Sequence, residues 1–388
     1  MTPRVMFIPW VEVDPSNTER TPKLLRLLSQ WYEVVPVRPG RFNKMIYDQK
    51  GNRFLRYVLF LLEEASLFLS ALSTAKRENV SLVFAEGTYF SIPGALAARI
   101  RGIPMVWDNH ANIRDFSATL GKTGAFFRAN LLVERFLHAL ATAVLVVSER
   151  EREVYRELGF PGDKFVVVPT CAEMGLVRQR SVPREQARAA LGVSEEEKVV
   201  LFFGTLKYHP NLDAALYISR EMMPLVRSEV PRAVAYLAGS GELGEEPGEG
   251  VRTLGFVPDL QAWLSAADVC VAPMWKGVGI LTKVIDMLSA GRATVVSPLA
   301  LEGMPDLADG ANCLIGGDRD TFPAQVVRLL RDDGLRLRLE QGGRELVERT
   351  YCWEVVAPRL HEMLDGLMEG DRQLINPPAP KWTKSGNG

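Results

Sequence analysis

The chain has 388 residues, with 46 Lys and Arg against 47 Asp and Glu and 47% hydrophobic residues. That length exceeds one ordinary core and suits two domains of similar size, and the near-neutral balance excludes a whole-surface attraction to nucleic acid. Cys171, Cys270, Cys313 and Cys352 show no CxxC spacing and the four histidines are scattered, so no His/Cys metal cluster is supported and the thiols read as small buried residues of a reducing compartment.

In chain order, Arg4–Pro9 reads as a strand, Pro22–Tyr32 as a helix and Glu33–Val37 as a strand. The apolar start, Val5–Trp10, soon meets Glu12 and Asp14, so no signal peptide is expected. A long helix is predicted over 52–77. Its apolar run, Tyr57–Leu72, is interrupted by Glu63 and Glu64 and falls short of the roughly 20 apolar residues of a spanning helix. It reads first as an amphipathic core helix. The second reading is contact with a membrane surface: residues 41–77 carry seven Lys/Arg against three acidic residues, with Phe42, Phe54, Tyr57 and Phe60 interleaved. Strands then follow at Ser81–Ala85, Pro104–Trp107, Ala143–Val147 and Phe165–Val168, with helices at Pro93–Arg101, about 125–141 and Glu149–Leu158.

The second half repeats the alternation. Helix Pro183–Leu191 and strand Lys198–Phe203 lead to helix Leu212–Arg227 and strands Ala233–Ala238 and Val251–Leu254. Leu260–Ala266 (helix), Val269–Ala272 (strand), Leu281–Ala290 (helix) and Thr294–Ser297 (strand) come next, and helices fill about 321–349 and 354–369. Such alternation gives parallel sheets covered by helices on both faces. Two doubly wound, Rossmann-like domains are therefore expected, 1–175 and 176–356. A junction is expected near 170–182, and a Pro/Gly-rich, poorly ordered tail at 376–388. Ligands of open parallel sheets bind beyond the carboxyl ends of the strands, so a cleft between two such sheets is the expected site.

The strand ends carry the chemistry. Strand VVLFFG ends at Gly204, then TLKYHPN leads into a helix. A helix start there offers N–H groups and partial positive charge to a phosphate, and Thr205, Lys207 and His209 lie beside it. Gly239, Gly241 and Gly244 form a lone GxGxxG, but the acidic turn GEEPGEG follows where a dinucleotide fingerprint needs a helix. Nicotinamide binding is set aside on that ground. In APMWKGVGILTKVIDMLSAGR, Gly277 and Gly279 permit close backbone approach and a helix is expected to begin near Ile280. Lys283 and Asp286, three residues apart, share a face. The lysine can neutralise a diphosphate and the carboxylate can accept bonds from ribose hydroxyls. The bland alternative is a surface Lys–Asp pair worth a few tenths of a kcal/mol. In the first half, DNHANIRDFS follows a strand and sets His110 just past its end, with Asp108 and Asn109 beside it. Glu86, Gly87, Thr88, Ser148 and Glu149 follow other strands.

The ordered set GTLKYHPNLDA, GFVPDLQAWLSAADVCVAP, GVGILTKVIDMLSAGRATVVSPLALEGM, DGANCLI and TYCWEVVAPRL resembles the group 1 family of retaining GT-B glycosyltransferases. The resemblance runs through most of the chain and is densest from 199 to 360. It implies an α/β, GT-B fold of two Rossmann-like domains, with a last helix at about 357–375 completing the first. It also implies a C-terminal donor domain that binds a nucleoside diphosphate sugar, a cytoplasmic hexosyltransferase acting on a hydroxyl acceptor with retention, and no obligatory metal or cofactor. Gly204, Thr205, Lys207, Gly277, Gly279, Lys283, Asp286 and Glu302 are its donor-side residues and His110 its residue at the reacting centre. Ser16, Asn17, Asp108 and Asn109 are assigned to the acceptor side. Where full members carry Glu-x7-Glu, this chain has Val278 and Asp286. Where many have a Gly-Gly pair after the first strand, it has Ser16-Asn17-Thr18. Two alternatives remain at this level, a non-catalytic sugar-nucleotide-binding protein and an epimerase or phosphorylase on the same plan. A lipid-linked acceptor at the inner face of a membrane is a further expectation.

Overall fold

A computed structural model describes residues 2–9, 20–37, 53–109, 111–119, 121–122 and 124–371. The chain divides into two compact units, Met1–Val168 with Ala357–Gly388 and Pro169–Val356.

In the first unit β1 (Arg4–Ile8), β2 (Glu33–Pro36), β3 (Leu82–Glu86), β4 (Met105–Asp108), β5 (Ala143–Val146) and β6 (Phe165–Val167) form one parallel sheet in the order β2-β1-β3-β4-β5-β6. Register is set by pairs such as Val5 with Leu82 and Val83 with Met105. These strands read as continuous apolar runs because both faces of a parallel sheet are covered. The helices are α1 (Arg20–Trp31), α2 (Arg53–Arg77), α3 (Ser91–Arg101), α4 (Ile113–Thr119), α5 (Ala125–Leu140) and α6 (Glu149–Glu157). One apolar cluster joins Leu67 and Ala71 of α2, Ala95 and Ala98 of α3, Leu137 of α5 and Tyr155 of α6 to Met6, Val83, Trp107 and Val144 of the strands. These four helices therefore cover one face of the sheet, as right-handed crossovers require.

The second unit holds β7 (Lys198–Phe203), β8 (Ala233–Ala238), β9 (Val251–Gly255), β10 (Val269–Ala272), β11 (Ala293–Val296) and β12 (Leu314–Ile315), parallel in the order β12-β11-β10-β7-β8-β9. Its helices are α7 (Met174–Arg180), α8 (Arg184–Leu191), α9 (His209–Tyr217), α10 (Met223–Glu229), α11 (Leu260–Ala266), α12 (Thr282–Ser289), α13 (Ala300–Gly303), α14 (Phe322–Arg331) and α15 (Asp333–Thr350). Asp268 pins the sheet: its Oδ2 accepts from Arg188 Nη2 and from the Val199 amide, each at 2.7 Å. The last helix, α16 (Trp353–Glu369), belongs to the first unit from Ala357 onward. There Trp31 stacks on His361 at 4.3 Å and Tyr32 Oη donates to Asp365 at 2.8 Å.

Most elements stand within a residue or two of their expected places. The differences have local causes. The stretch expected to join the domains holds α7, and the division between units falls earlier, at Val168/Pro169. The helix expected over Leu212–Arg227 starts at His209, since Pro210 suits a first turn, and it is broken by a π-turn at Ile218–Met222 before α10. Helix α4 and the short strand β12 were not foreseen. All four cysteines are buried free thiols, and burial raises Cys270 and Cys313 to about 12.

The long helix differs most from expectation. It spans 25 residues, and Phe54–Arg77 is long and apolar enough to cross a membrane by length and composition, although a shortfall was expected. Nor is it simply a core helix: 33% of that apolar window is buried. The part of the basic, aromatic stretch at 41–52 and the tail at 376–388 lie outside the described residues.

Candidate functional site

In the second unit, three strand ends bring the expected donor-side residues into contact. Strand β7 runs out at Gly204, whose φ of +149° is open to glycine. A Cβ at that position would lie 2.6 Å from Asn211 Nδ2 and 2.9 Å from Lys283 Nζ. The Gly204 carbonyl also abuts Gly239 at the end of β8, where a Cβ would fall 2.1 Å from it. Further bonds weld the two loops: Leu206 N donates to Ser240 O at 2.8 Å, and the hydroxyls of Thr205 and Ser240 lie 2.9 Å apart. The GxGxxG is thus a device for packing one strand-end loop on another, and no helix opens at its glycines.

Lys283 is the centre of this arrangement. It stands in the first turn of α12, which starts at Thr282, two residues later than expected. Its Nζ donates to Asn211 Oδ1 at 2.7 Å, lies 3.8 Å from Met274 Sδ and sits 4.3 Å from the Phe202 ring centroid. Among the described residues no carboxylate pairs with this ammonium. Loss of hydrating water lowers its pKa to about 7. Asn211 holds the lysine and also donates through Nδ2 to Thr205 O at 3.0 Å, so α9, α12 and the β7 loop are tied at one point. Neither α9 nor α12 has a side-chain cap at its start. The Asn211 and Leu212 amides donate to Tyr208 O, the Thr282 amide to Ile280 O and the Val284 amide to Leu281 O. Backbone carbonyls thus close most of both first turns, and what each helix start offers a ligand is chiefly the positive end of its dipole. Gly279 has a φ of +66°, and the chain of α13 presses on this turn: a Cβ at Gly303 would lie 2.7 Å from Ile280 Cα. Glu302, exposed, is therefore next to the Gly-rich turn. Asp286 is partly buried one turn beyond Lys283. Gly277 approaches Leu299: a Cβ there would lie 3.4 Å from Leu299 Cδ2. Lys207 and Thr205 are exposed on the β7 loop. Asn211 was missed in the sequence; its position two residues after His209, at the mouth of a helix, was the available signal.

The first unit is organised differently at the same end of its sheet. Asp108, at the end of β4, is fully buried and clasped by Arg20, with Nε 2.9 Å from Oδ2 and Nη2 2.8 Å from Oδ1. Asn109 donates to Tyr155 Oη, and that hydroxyl donates to Glu134 Oε2 at 3.1 Å. The Asn112 amide and side chain both donate to Glu151, at 3.0 and 2.9 Å. Ser148 caps α6 by accepting from the Glu151 amide at 3.2 Å. Burial raises Glu134 to about 8 and Glu151 to about 7. Asp108 and Asn109, assigned to the acceptor side, are thus buried and held by protein groups. His110, Ser16 and Asn17 lie outside the described residues. No periodic or motif signal marks Glu134, Glu151 or Arg20, because their partners are distant in the chain.

Comparison with known proteins agrees with this division. Residues 197–332 match the family model of glycosyl transferases group 1, and residues 19–171 match the glycosyl transferase 4-like domain. The chain is 26% identical to a D-inositol 3-phosphate glycosyltransferase of Catenulispora acidiphila, covering 72% of this chain and 70% of that protein. It is 22% identical to an Escherichia coli UDP-Gal:alpha-D-GlcNAc-diphosphoundecaprenol alpha-1,3-galactosyltransferase, covering 68% and 67%. In structure it is similar to Anabaena HepE solved with UDP-glucose, with a TM-score of 0.67 at 15% identity over 94% of this chain and 99% of that one. With both halves matched in order and both sheets built on the GT-B plan, the chain belongs to the group 1 glycosyltransferases.

Proposed function

We propose that the protein transfers a hexosyl group from a nucleoside diphosphate sugar to the hydroxyl of a lipid-linked acceptor, with retention of configuration and without an obligatory metal. The observation that carries the donor reading is the half-buried Lys283 ammonium, partly desolvated, held among the described residues by neutral groups, and set beside a glycine strand end and two helix starts. A site with a desolvated positive charge and no counter-ion among the described residues is complementary to a diphosphate. It becomes more so as negative charge builds on the departing diphosphate, and such electrostatic stabilisation is commonly the largest catalytic term. In this reading Lys283, with the positive dipole ends of α9 and α12, supplies the charge that a divalent cation supplies elsewhere. Lys207 extends the same field, and Asp286 and Glu302 accept bonds from ribose or sugar hydroxyls. His110 serves at the reacting centre on the first unit's side. Relatives that act on lipid-linked or inositol-phosphate acceptors support an acceptor of that kind, used at the cytoplasmic face of a membrane in glycan or glycolipid synthesis.

Calorimetric titration with UDP, GDP, ADP and dTDP tests the donor site. One nucleotide should bind selectively, Lys283→Ala should weaken it strongly, and Asp286→Ala should weaken it about tenfold, the value of one lost charged hydrogen bond. Failure of every nucleotide to bind would sink the proposal. Proton NMR of the product anomer then decides retention.

A further inference from the structure

Helix α2 buries one stripe and bares another. Leu59, Glu63, Leu67, Ala71 and Ala75 recur every fourth residue and are buried. Phe54 (78% exposed), Tyr57 (66%), Leu61 (65%) and Leu69 (64%) face outward with Leu62. At 1.5 Å per residue the bare stripe extends about 22 Å. Isolated exposed apolar residues are ordinary, but a contiguous row of large ones marks an interaction surface. Because the inner stripe belongs to the first unit's core, this helix can meet lipid only lying in the interface plane, not spanning it.

Charge selects the partner. Helices α2, α3 and α5 lie on one face of the sheet, and their only acidic residues are Glu63, Glu64 and Glu134. Glu63 and Glu134 are buried. The carboxylate oxygens of Glu64 are buried without a hydrogen-bond partner, and burial, with Glu63 adjacent, pushes its pKa up to about 8. The basic residues Arg56, Lys76, Arg99, Arg101 and Arg128 of the same helices are exposed. Ile100, Leu132 and Phe136 add exposed apolar side chains to this layer. The fourth helix of this face, α6, exposes Glu149, Glu153 and Glu157, so the acid-free surface is confined to α2, α3 and α5. Those three helices, which turn their acids inward and their cations and large apolar groups outward, are complementary to an anionic leaflet.

We propose that the outward face of α2, α3 and α5 docks on an anionic lipid surface, with α2 in the plane of the interface. The inference rests on the lipid-linked acceptor proposed above for its purpose, and owes nothing to the donor site. The test is sedimentation of the full-length protein with vesicles of phosphatidylcholine alone and of equimolar phosphatidylcholine and phosphatidylglycerol. Capture by the anionic vesicles only is expected. The Leu61→Asp/Leu69→Asp double variant should partition at least about tenfold more weakly, and Arg56→Gln and Arg99→Gln should each lose about fivefold. Equal capture by both vesicle types, or undiminished capture of the double variant, overturns the proposal. So does a solution dimer that the double variant dissociates, because a second copy would then cover this face. Titration with UDP separates the two readings. The double variant should lose vesicles and keep its nucleotide affinity, while Lys283→Ala should lose nucleotide and still sediment with vesicles.

Discussion

The carboxyl ends of the two sheets carry opposite kinds of polarity. In the first unit the buried polar groups answer one another: Arg20 closes on Asp108 as an ion pair, while Glu151 accepts from Asn112 and Glu134 from Tyr155, which in turn accepts from Asn109. In the second unit the central charge is left over. Lys283 has an amide oxygen, a thioether and an aromatic face for company, and no anion among the described residues. A satisfied polar network makes a rigid frame, whereas an unbalanced charge costs stability and is complementary to a ligand that balances it. The same fold thus carries a paired polar network at one sheet end and an unbalanced charge at the other.

Three substitutions or conditions would break or sharpen that contrast. The largest effect is expected from Arg20→Met, which strands the buried Asp108 carboxylate. Breaking a buried pair from one side costs about 3–5 kcal/mol, so the melting temperature should drop sharply while nucleotide affinity, measured on folded protein, stays unchanged. Lys283→Ala should do the reverse. Loss of a charged contact to a diphosphate weakens binding by about 100-fold, near 2.7 kcal/mol, while the unliganded protein should be no less stable, since a half-buried ammonium with no anionic partner among the described residues has gone. A pH series gives the smallest and most diagnostic effect. The lysine of the free protein titrates at about 7, and a bound diphosphate raises that value. Affinity should therefore be greatest below pH 7 and fall by up to about tenfold per unit above it. Binding should take up a proton there, visible as a dependence of the calorimetric heat on buffer. An affinity flat from pH 6 to 9 would show that the ammonium is already compensated in the free protein.

What the sequence revealed of this contrast follows its physics. The strands were legible because a parallel strand buried on both faces is a continuous apolar run, as in Val199–Phe203 and Val269–Ala272. The place of Lys283 and the glycines at a strand end was legible because glycines there mark close backbone approach and the residues that follow begin a helix. Asn211 was not, since its role is to hold Lys283 across 72 residues of chain. Arg20 and Asp108 lie 88 residues apart, and nothing local to either announces the pair. The reading of α2 as an amphipathic core helix holds for its inner stripe, Leu59 to Ala75, but not for the extent of the outer one: periodicity gives the width of an apolar face, and only the neighbours that cover it decide how much of that face stays bare.

The abutment of Gly204 on Gly239 has a consequence for how this enzyme could change. Because the two backbones touch where a side chain would stand, the loops after β7 and β8 can only move as one piece. Lys283, which lies against Gly204, takes its bearing from both. Gly241, at φ +109°, also packs on Leu206 and Lys207, and Leu206 is buried, so mutational drift is confined to Thr205, Lys207 and Tyr208 on one loop and Ser240 and Glu242 on the other. A library intended to alter donor choice should randomise those five positions and leave Leu206 and the three glycines fixed.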